Sequence, residues 1–265
     1  MNRTICLVCF LITRSVIGLC QGDTVYYDYM WNKGTFENAD YYRVIHKEGE
    51  KYKIDNYFLN NKLLMTGYFT DLKKETKTGF FVYYYKHGHK KEQGFYEHDM
   101  KTGKWEGFYD TTGNIWYTEN YIKDKRDGEL VSYYRSGKIK RREKHNYDNS
   151  IVTGKCFDEE GKEIPFTPFE TLPKPLFDYN EFLTLNFHYP ELARSKGIEG
   201  RVKVKFLVNE DGSVSDISLL SHVGGGCDQE AYRVVSSMPK WTPGTEDDKI
   251  VKVYFNLPIV FRLVD

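Results

Sequence analysis

"YPELARSKGIEGRVKVKFLVNEDGSV" occupies residues 189–214. Its second half alternates without a break: Val202, Val204, Phe206 and Val208 fall on one face, and Arg201, Lys203 and Lys205 on the other. A period of two residues with one apolar face is the pattern of a half-buried strand. "NEDG" (209–212) turns the chain and "SVSDISLL" returns it, which makes an antiparallel pair with one wet face. Ahead of the strand, Pro190 suits a first helical turn, Leu192 and Ala193 supply an apolar face, and Gly197 suits the C-terminal cap. A short helix is expected there.

After "HVGGGC", Asp228 is placed to cap a helix in "QEAYRVVSSM", with Ala231, Val234, Val235 and Met238 at helical spacing and Pro239 beyond its end. "KIVKVYFNLPIVFRL" (249–263) then reads as one closing strand. On it Val251, Val253, Phe255 and Leu257 alternate with Lys252, Tyr254 and Asn256, so one set packs on the helices and the other stays near solvent. Pro258 lacks a ladder donor, which an edge strand tolerates and a central strand does not. The order describes a small α+β sandwich: a three-stranded antiparallel sheet with two helices on one face.

These residues carry a resemblance. The Tyr189-Pro190 helix start, Gly200, the Asp211-Gly212 turn, "MPKW" (238–241) and the Trp241, Pro243, Gly244 segment stand in the order and spacing of the TonB C-terminal domain. The stretch from Pro168 to Leu263 closely resembles that domain, and "PFETLPKPLFDYNEFLTLNFHYP" (168–190) resembles the lead-in of Bacteroidetes-type members. The resemblance implies a periplasmic module of energy-dependent transmembrane transport, on whose last strand the TonB-box segment of an outer-membrane transporter pairs by β-strand addition. Carried onto this chain, the partner-binding residues are Val251, Lys252, Val253, Tyr254, Phe255, Asn256 and Leu257, with Arg194 near the helix end. The expected partners are outer-membrane TonB-dependent transporters or other cell-envelope proteins. A homodimer through the same edge is the competing occupant. The alternative reading is a periplasmic scaffold with a recruited TonB-like domain and no role in energy transduction.

Upstream, "TGFFVYYYKHGHKKEQGFYEHDMK" from Thr78, "TGKWEGFYDTTGNIWYTENYIKDKRD" from Thr102, "GELVSYYRSGKIKRREKHNYDN" from Gly128 and a truncated copy from Thr153 repeat one plan. Each is a strand, a glycine turn, a second strand and a charged turn, with a weaker copy starting at Asp55. "GKWEGFY" (103–109) resembles variant MORN-type repeats, and the resemblance covers roughly residues 55 to 163. Hairpins with one aromatic face cannot cover it alone, so stacking into a continuous sheet is expected. The fold class is therefore α+β: an N-terminal all-β sheet of stacked, MORN-like hairpins followed by the small TonB-like domain. The sheet reads as a spacer or protein-contact platform, with a ligand surface of exposed tyrosines as the alternative.

The N-terminus has a short basic start at Arg3, runs apolar from Ile5 to Ile12 and exits through Gly18 and Cys20, the pattern of a cleaved secretory signal. An uncleaved anchor and lipidation at Cys20 are the alternatives. The expected organisation is a signal at 1–20, repeats at 21–164, a Pro-containing linker and lead-in at 165–187, and the TonB-like domain at 188–265. Lys plus Arg and Asp plus Glu both number 38, so no overall field favours nucleic acid.

Chemistry is sparse. No catalytic carboxylate pair, triad or nucleotide loop is legible, so neither enzyme activity, a small-molecule substrate nor a cofactor is expected. His87, His89 and His98 read as turn residues rather than a metal set, and "KIKRREKH" (138–145) as a solvated face. Cys227 reads as structural.

Overall fold

The computed structural model describes residues 23–263, so the signal-like N-terminus and Cys20 lie outside the described residues. Packing divides the chain between Arg126 and Asp127 into two compact units. In the first, ten strands run β1 Asp23–Tyr27, β2 Lys33–Gly34, β3 Tyr41–Glu48, β4 Lys51–Phe58, β5 Leu63–Asp71, β6 Thr76–Tyr84, β7 Lys90–Glu97, β8 Met100–Phe108, β9 Ile115–Ile122 and β10 Lys125–Arg126. From β3 to β9 each strand pairs antiparallel with the next, an uninterrupted meander.

Rings from neighbouring strands cover one another on this sheet. Phe81 pairs across from Gly94, and Trp105 lies over the same glycine, so a Cβ on Gly94 would stand 2.3 Å from the indole. Gly67 meets Phe81 in the same way at 2.4 Å, and Gly107 meets Tyr117 at 2.2 Å. Each aromatic residue thus lies flat across a neighbouring strand that has no side chain to displace it. Tyr96 closes on Phe81 and on Trp105 edge-to-face at 5.0 Å, and both Phe81 and Trp105 are fully buried. The charged turns repeat as well. The Asp99 carboxylate accepts from the Lys77 backbone N–H, and Asp124 from that of Lys101, each at 2.7 Å. These aspartates pin each returning turn to the start of the preceding hairpin.

The second unit begins with β11 Gly128–Tyr133, β12 Ile139–His145, β13 Ile151–Phe157 and β14 Glu163–Ile164, again an antiparallel meander. Its remainder comprises β15 Glu170–Thr171, β16 Lys174–Pro175, α1 Tyr179–Asn186, α2 Glu191–Ser195, β17 Gly200–Val208, β18 Val214–Leu219, α3 Cys227–Ser236, β19 Trp241–Thr242, β20 Gly244–Glu246, β21 Lys249–Val251 and β22 Val253–Phe261. The expected three-stranded antiparallel sheet is present in the order β18-β17-β22. Val202, Val204, Phe206 and Val208 are fully buried and pack with Ala231, Val235, Trp241, Ile259 and Phe261. Gly212 turns β17 into β18 at φ 81, and a Cβ there would reach the Trp241 carbonyl oxygen at 2.1 Å, so the tight turn also admits a close backbone neighbour.

Four details differ from the expectation. Leu192 is exposed and only Ala193 of α2 is buried, because the helix is one short turn with a single inward position. Asp228 is not the cap of α3. That position belongs to Gly226, and the Asp228 carboxylate accepts from the Val223 N–H at 2.9 Å. The prolines of 165–187 interrupt regular structure but do not leave a loose linker, since Phe169 is buried and Phe177 and Phe187 pack against the core cluster. An extra helix, α1, occupies 179–186: Asp178 accepts from the N–H groups of Asn180 and Glu181 and so starts it.

The change in composition at 165 and the division in packing at Arg126 do not coincide, and a buried ion network accounts for it. Arg141 on β12 is fully buried, and its Nη1 donates to Asp247 at 2.6 Å, its Nη2 to Asp248 at 2.7 Å and its Nε to the Thr167 carbonyl at 2.7 Å. Lys140 adds contacts of 3.1 Å to Asp247 and 3.0 Å to Asp248. The turn between β20 and β21 is thereby fastened to the last full repeat hairpin.

Candidate functional site

β22 ends its sheet, and the direction of its free backbone groups follows from the other strands. The Lys203 N–H donates to Ser221 Oγ at 2.8 Å and its carbonyl accepts from Leu220 N–H at 2.7 Å, so Lys203 faces β18. Its cross-strand partner is Pro258, and this pair therefore exchanges no backbone bond. Hence Tyr254, Asn256, Pro258 and Val260, which share one parity, aim their backbone groups away from β17. Carbonyls of all four and N–H groups of all but the proline are offered outward. Pro258 sits where its missing donor costs the sheet nothing.

The same four residues carry the exposed side chains, Tyr254 being 54% exposed, while Phe255, Leu257, Ile259 and Phe261 pack inward. Lys205 Nζ lies 4.3 Å from the Tyr254 ring centre, a cation–π contact that steadies this ring. Beside the second half of the strand, Tyr179, Leu183, Thr184 and Phe187 line a groove of about 400 Å³ with Pro258, Ile259 and Val260. The edge thus has an open stretch at Tyr254 and Asn256, followed by a stretch walled by α1.

The expectation of a single strand over 249–263 needs correction. Lys249–Val251 forms β21, which pairs with β20 through Gly244 and Val251, and Lys252 breaks the run before β22 begins. The cause is the Asp247-Asp248 turn, with φ of 48° and 67°, which folds 249–251 back on 244–246. Val251 and Lys252 therefore lie outside the edge strand, while Val253, Tyr254, Phe255, Asn256 and Leu257 lie on it. Arg194 is exposed on α2 with its guanidinium carbon 5.9 Å from the Tyr189 ring centre, and Tyr189 in turn meets Phe261. That places Arg194 near the far end of β22 rather than at Tyr254.

Other candidate groups are accounted for by structure. Gly224, Gly225 and Gly226 all have positive φ, and Gly225 and Gly226 press on Ala193 and Pro190, so the glycine loop packs α3 against α2. Cys156 and Cys227 are free and buried, and burial pushes the Cys227 thiol up. His87 is exposed and lies 3.8 Å from Asp110, and His98 sits in a turn at φ 50. Among the described residues no helix is long and apolar enough to cross a membrane.

The family model of the Gram-negative bacterial TonB protein C-terminal matches residues 186–263. This segment is TonB C-terminal-like. Protein TonB of Pseudomonas aeruginosa is 36% identical over 63 residues, 24% of this chain and 18% of that protein. Protein TonB of Helicobacter pylori is 34% identical over 76 residues, 28% of this chain and 25% of that protein. The TonB-like segment thus accounts for about a quarter or less of those relatives' length. An NMR solution structure of Helicobacter pylori TonB-CTD aligns at 27% identity over 32% of this chain and 78% of that chain, with a TM-score of 0.26.

Proposed function

We propose that the TonB-like domain grips an extended segment of a partner protein by adding it as a fourth strand beside β22, in the service of energy-dependent transport across the outer membrane. The observation that carries this reading is the row of backbone groups at Tyr254, Asn256, Pro258 and Val260, which has no strand partner among the described residues. A guest strand gains about 0.5–1.5 kcal/mol net from each backbone bond, which gives a reversible grip rather than a permanent one. Its side chains alternate between solvent and the groove formed by α1, where Leu183 and Phe187 offer apolar contact. The partner is an outer-membrane transporter presenting a TonB-box segment, and the setting is the periplasm, in keeping with the signal-like N-terminus. The hairpin array, of MORN-like plan, serves as spacer or contact platform in a Bacteroidetes-type member of the TonB group.

Asn256→Pro tests the reading cleanly, because it removes an outward N–H and leaves the bonds to β17 in place. A TonB-box peptide titrated into the full chain should bind reversibly, and Asn256→Pro should weaken it about tenfold while circular dichroism stays unchanged. Absence of binding by the unaltered chain sinks the proposal, as does equal binding by the variant. Concentration-dependent dimerisation that excludes the peptide would assign the edge to a second copy instead.

A further inference from the structure

A concavity of about 560 Å³ opens on the first unit, lined among others by Tyr27, Trp31, Arg43, Asn56, Glu75 and Lys77. We propose that it is a binding site for an acidic sugar, a ring bearing hydroxyls and one carboxylate. Three independent features converge on it.

Trp31 has φ 64 and is the only Phe, Tyr or Trp in the left-handed region among the described residues. The loop that imposes this conformation is tied down by Asp28, whose Oδ1 accepts from the N–H groups of Met30 and Asn32 at 2.9 Å. Hydrogen bonds from Asn32 also hold the Asp28 carboxyl below its ordinary range. Trp31 is held stacked on Tyr41, with ring centres 4.9 Å apart and planes 6° apart, and it remains 41% exposed. Backbone strain in a bulky residue persists where the surroundings over-determine it, and binding sites are where such strain collects. Glu75, at φ 52, is a second left-handed residue on the same wall.

The polar lining is incompletely paired. Arg43, with a side chain 7% exposed, donates through Nε to Asn56 Oδ1 at 2.8 Å and through Nη1 to Glu75 at 2.5 Å. A guanidinium only donates, so the Asn56 amide must turn its oxygen to Arg43 and keep its NH2 for another partner. No described group accepts from that NH2, although Asn56 is only 3% exposed. Lys77 is the third feature. Its Nζ lies 4.7 Å from the Tyr96 ring centre and has no hydrogen-bond acceptor or ion-pair partner among the described residues. Burial lowers its pKa despite the nearby carboxylates of Asp99, Glu92 and Glu75.

These groups select a ligand class. Arg43 is paired with Glu75, which leaves the Lys77 ammonium as the lining cation with no ion-pair partner among the described residues, a place for one carboxylate. Tyr27 is buried beneath the Arg43 guanidinium, so the exposed part of the Trp31 ring is the surface that meets the apolar side of a sugar. The Asn56 NH2, a donor, and the second oxygen of Glu75, an acceptor, suit hydroxyls, which a fatty acid chain does not offer.

The full chain should bind N-acetylmuramic acid at about millimolar strength in ligand-observed NMR, and about tenfold more tightly than N-acetylglucosamine, which has the same ring without the carboxylate. Lys77→Met should abolish that preference and leave weak binding of both sugars, and Trp31→Gly should remove binding of both. Circular dichroism would confirm that each variant is folded. Equal binding of the two sugars, preference for dodecanoate, no binding, or an unchanged preference in Lys77→Met would each overturn the assignment.

Discussion

Trp105 and Trp241 are both buried, but by different means. Trp105 lies on one face of a meander and is covered sideways, by Gly94 beneath it, Tyr96 at 5.0 Å and the Lys101 ammonium 4.0 Å from its ring centre. Trp241 sits among Phe177, Phe206 and Phe255, brought from three separate parts of the second unit. One ring is sheltered by strands adjacent in sequence, the other by a core assembled over long range. The contrast teaches that a repeat can bury large rings with contacts from adjacent strands, provided the neighbouring strand surrenders its side chain.

The largest effect is expected where a charge, not a ring, is enclosed. Arg141→Met should cost about 3–5 kcal/mol in urea unfolding, since Asp247 is left buried with a lost partner. A loss below about 1 kcal/mol would show that Lys140 alone suffices. The pair also has a pH signature. Burial pushes the Asp248 carboxyl up, but hydrogen bonds from Lys140 and Thr167 and the charge of Arg141 outweigh it, so its pKa is lowered. A lowered folded value means that its stabilisation is present above the ordinary Asp range and is lost as pH falls below about 3.9. Arg141→Met should flatten that acid limb.

Next comes the glycine device. Gly94→Ala should destabilise by about 1–3 kcal/mol, because the added methyl enters the Trp105 ring. The same change in a Trp105→Ala background should cost much less. Additive costs in a double-mutant cycle would break the comparison, for they would mean that ring and glycine do not act together. The smallest effect belongs to the second unit: Asp178→Ala should cost about 1 kcal/mol through loss of the α1 cap, read as a small fall in melting temperature.

Much of this plan is visible in the residues, and what is hidden has a common cause. The alternation of Val202, Val204, Phe206 and Val208 and the left-handed turn glycines Gly88, Gly113, Gly137 and Gly161 are local signals, and they lie where the pattern places them. The helix at 179–186 was legible too, in Asp178 followed three residues on by Glu181, but the prolines before it dominate the reading. At the candidate edge, Pro258 marks the free side correctly. The apolar alternation runs unbroken through Val251 and Val253 and conceals the change of sheet at Lys252, since a period of two cannot report which strand is the neighbour. Arg141 meets Asp247 across 106 positions, and "KIKRREKH" reads as a solvated face until the fold supplies its partner. The left-handed Trp31 carries no signal at all in a sequence without glycine at that place.

The turn seized by Arg141 and Lys140 leads into β21, and Lys252 alone separates β21 from the terminal strand. Tension on that strand would therefore pass through Lys252 and β21 into the turn, and from there through Arg141 and Lys140 into the β12 hairpin and through Thr167 into the start of the proline-bearing stretch. A pull on the second unit would then be shared sideways through ions as well as lengthwise along the chain.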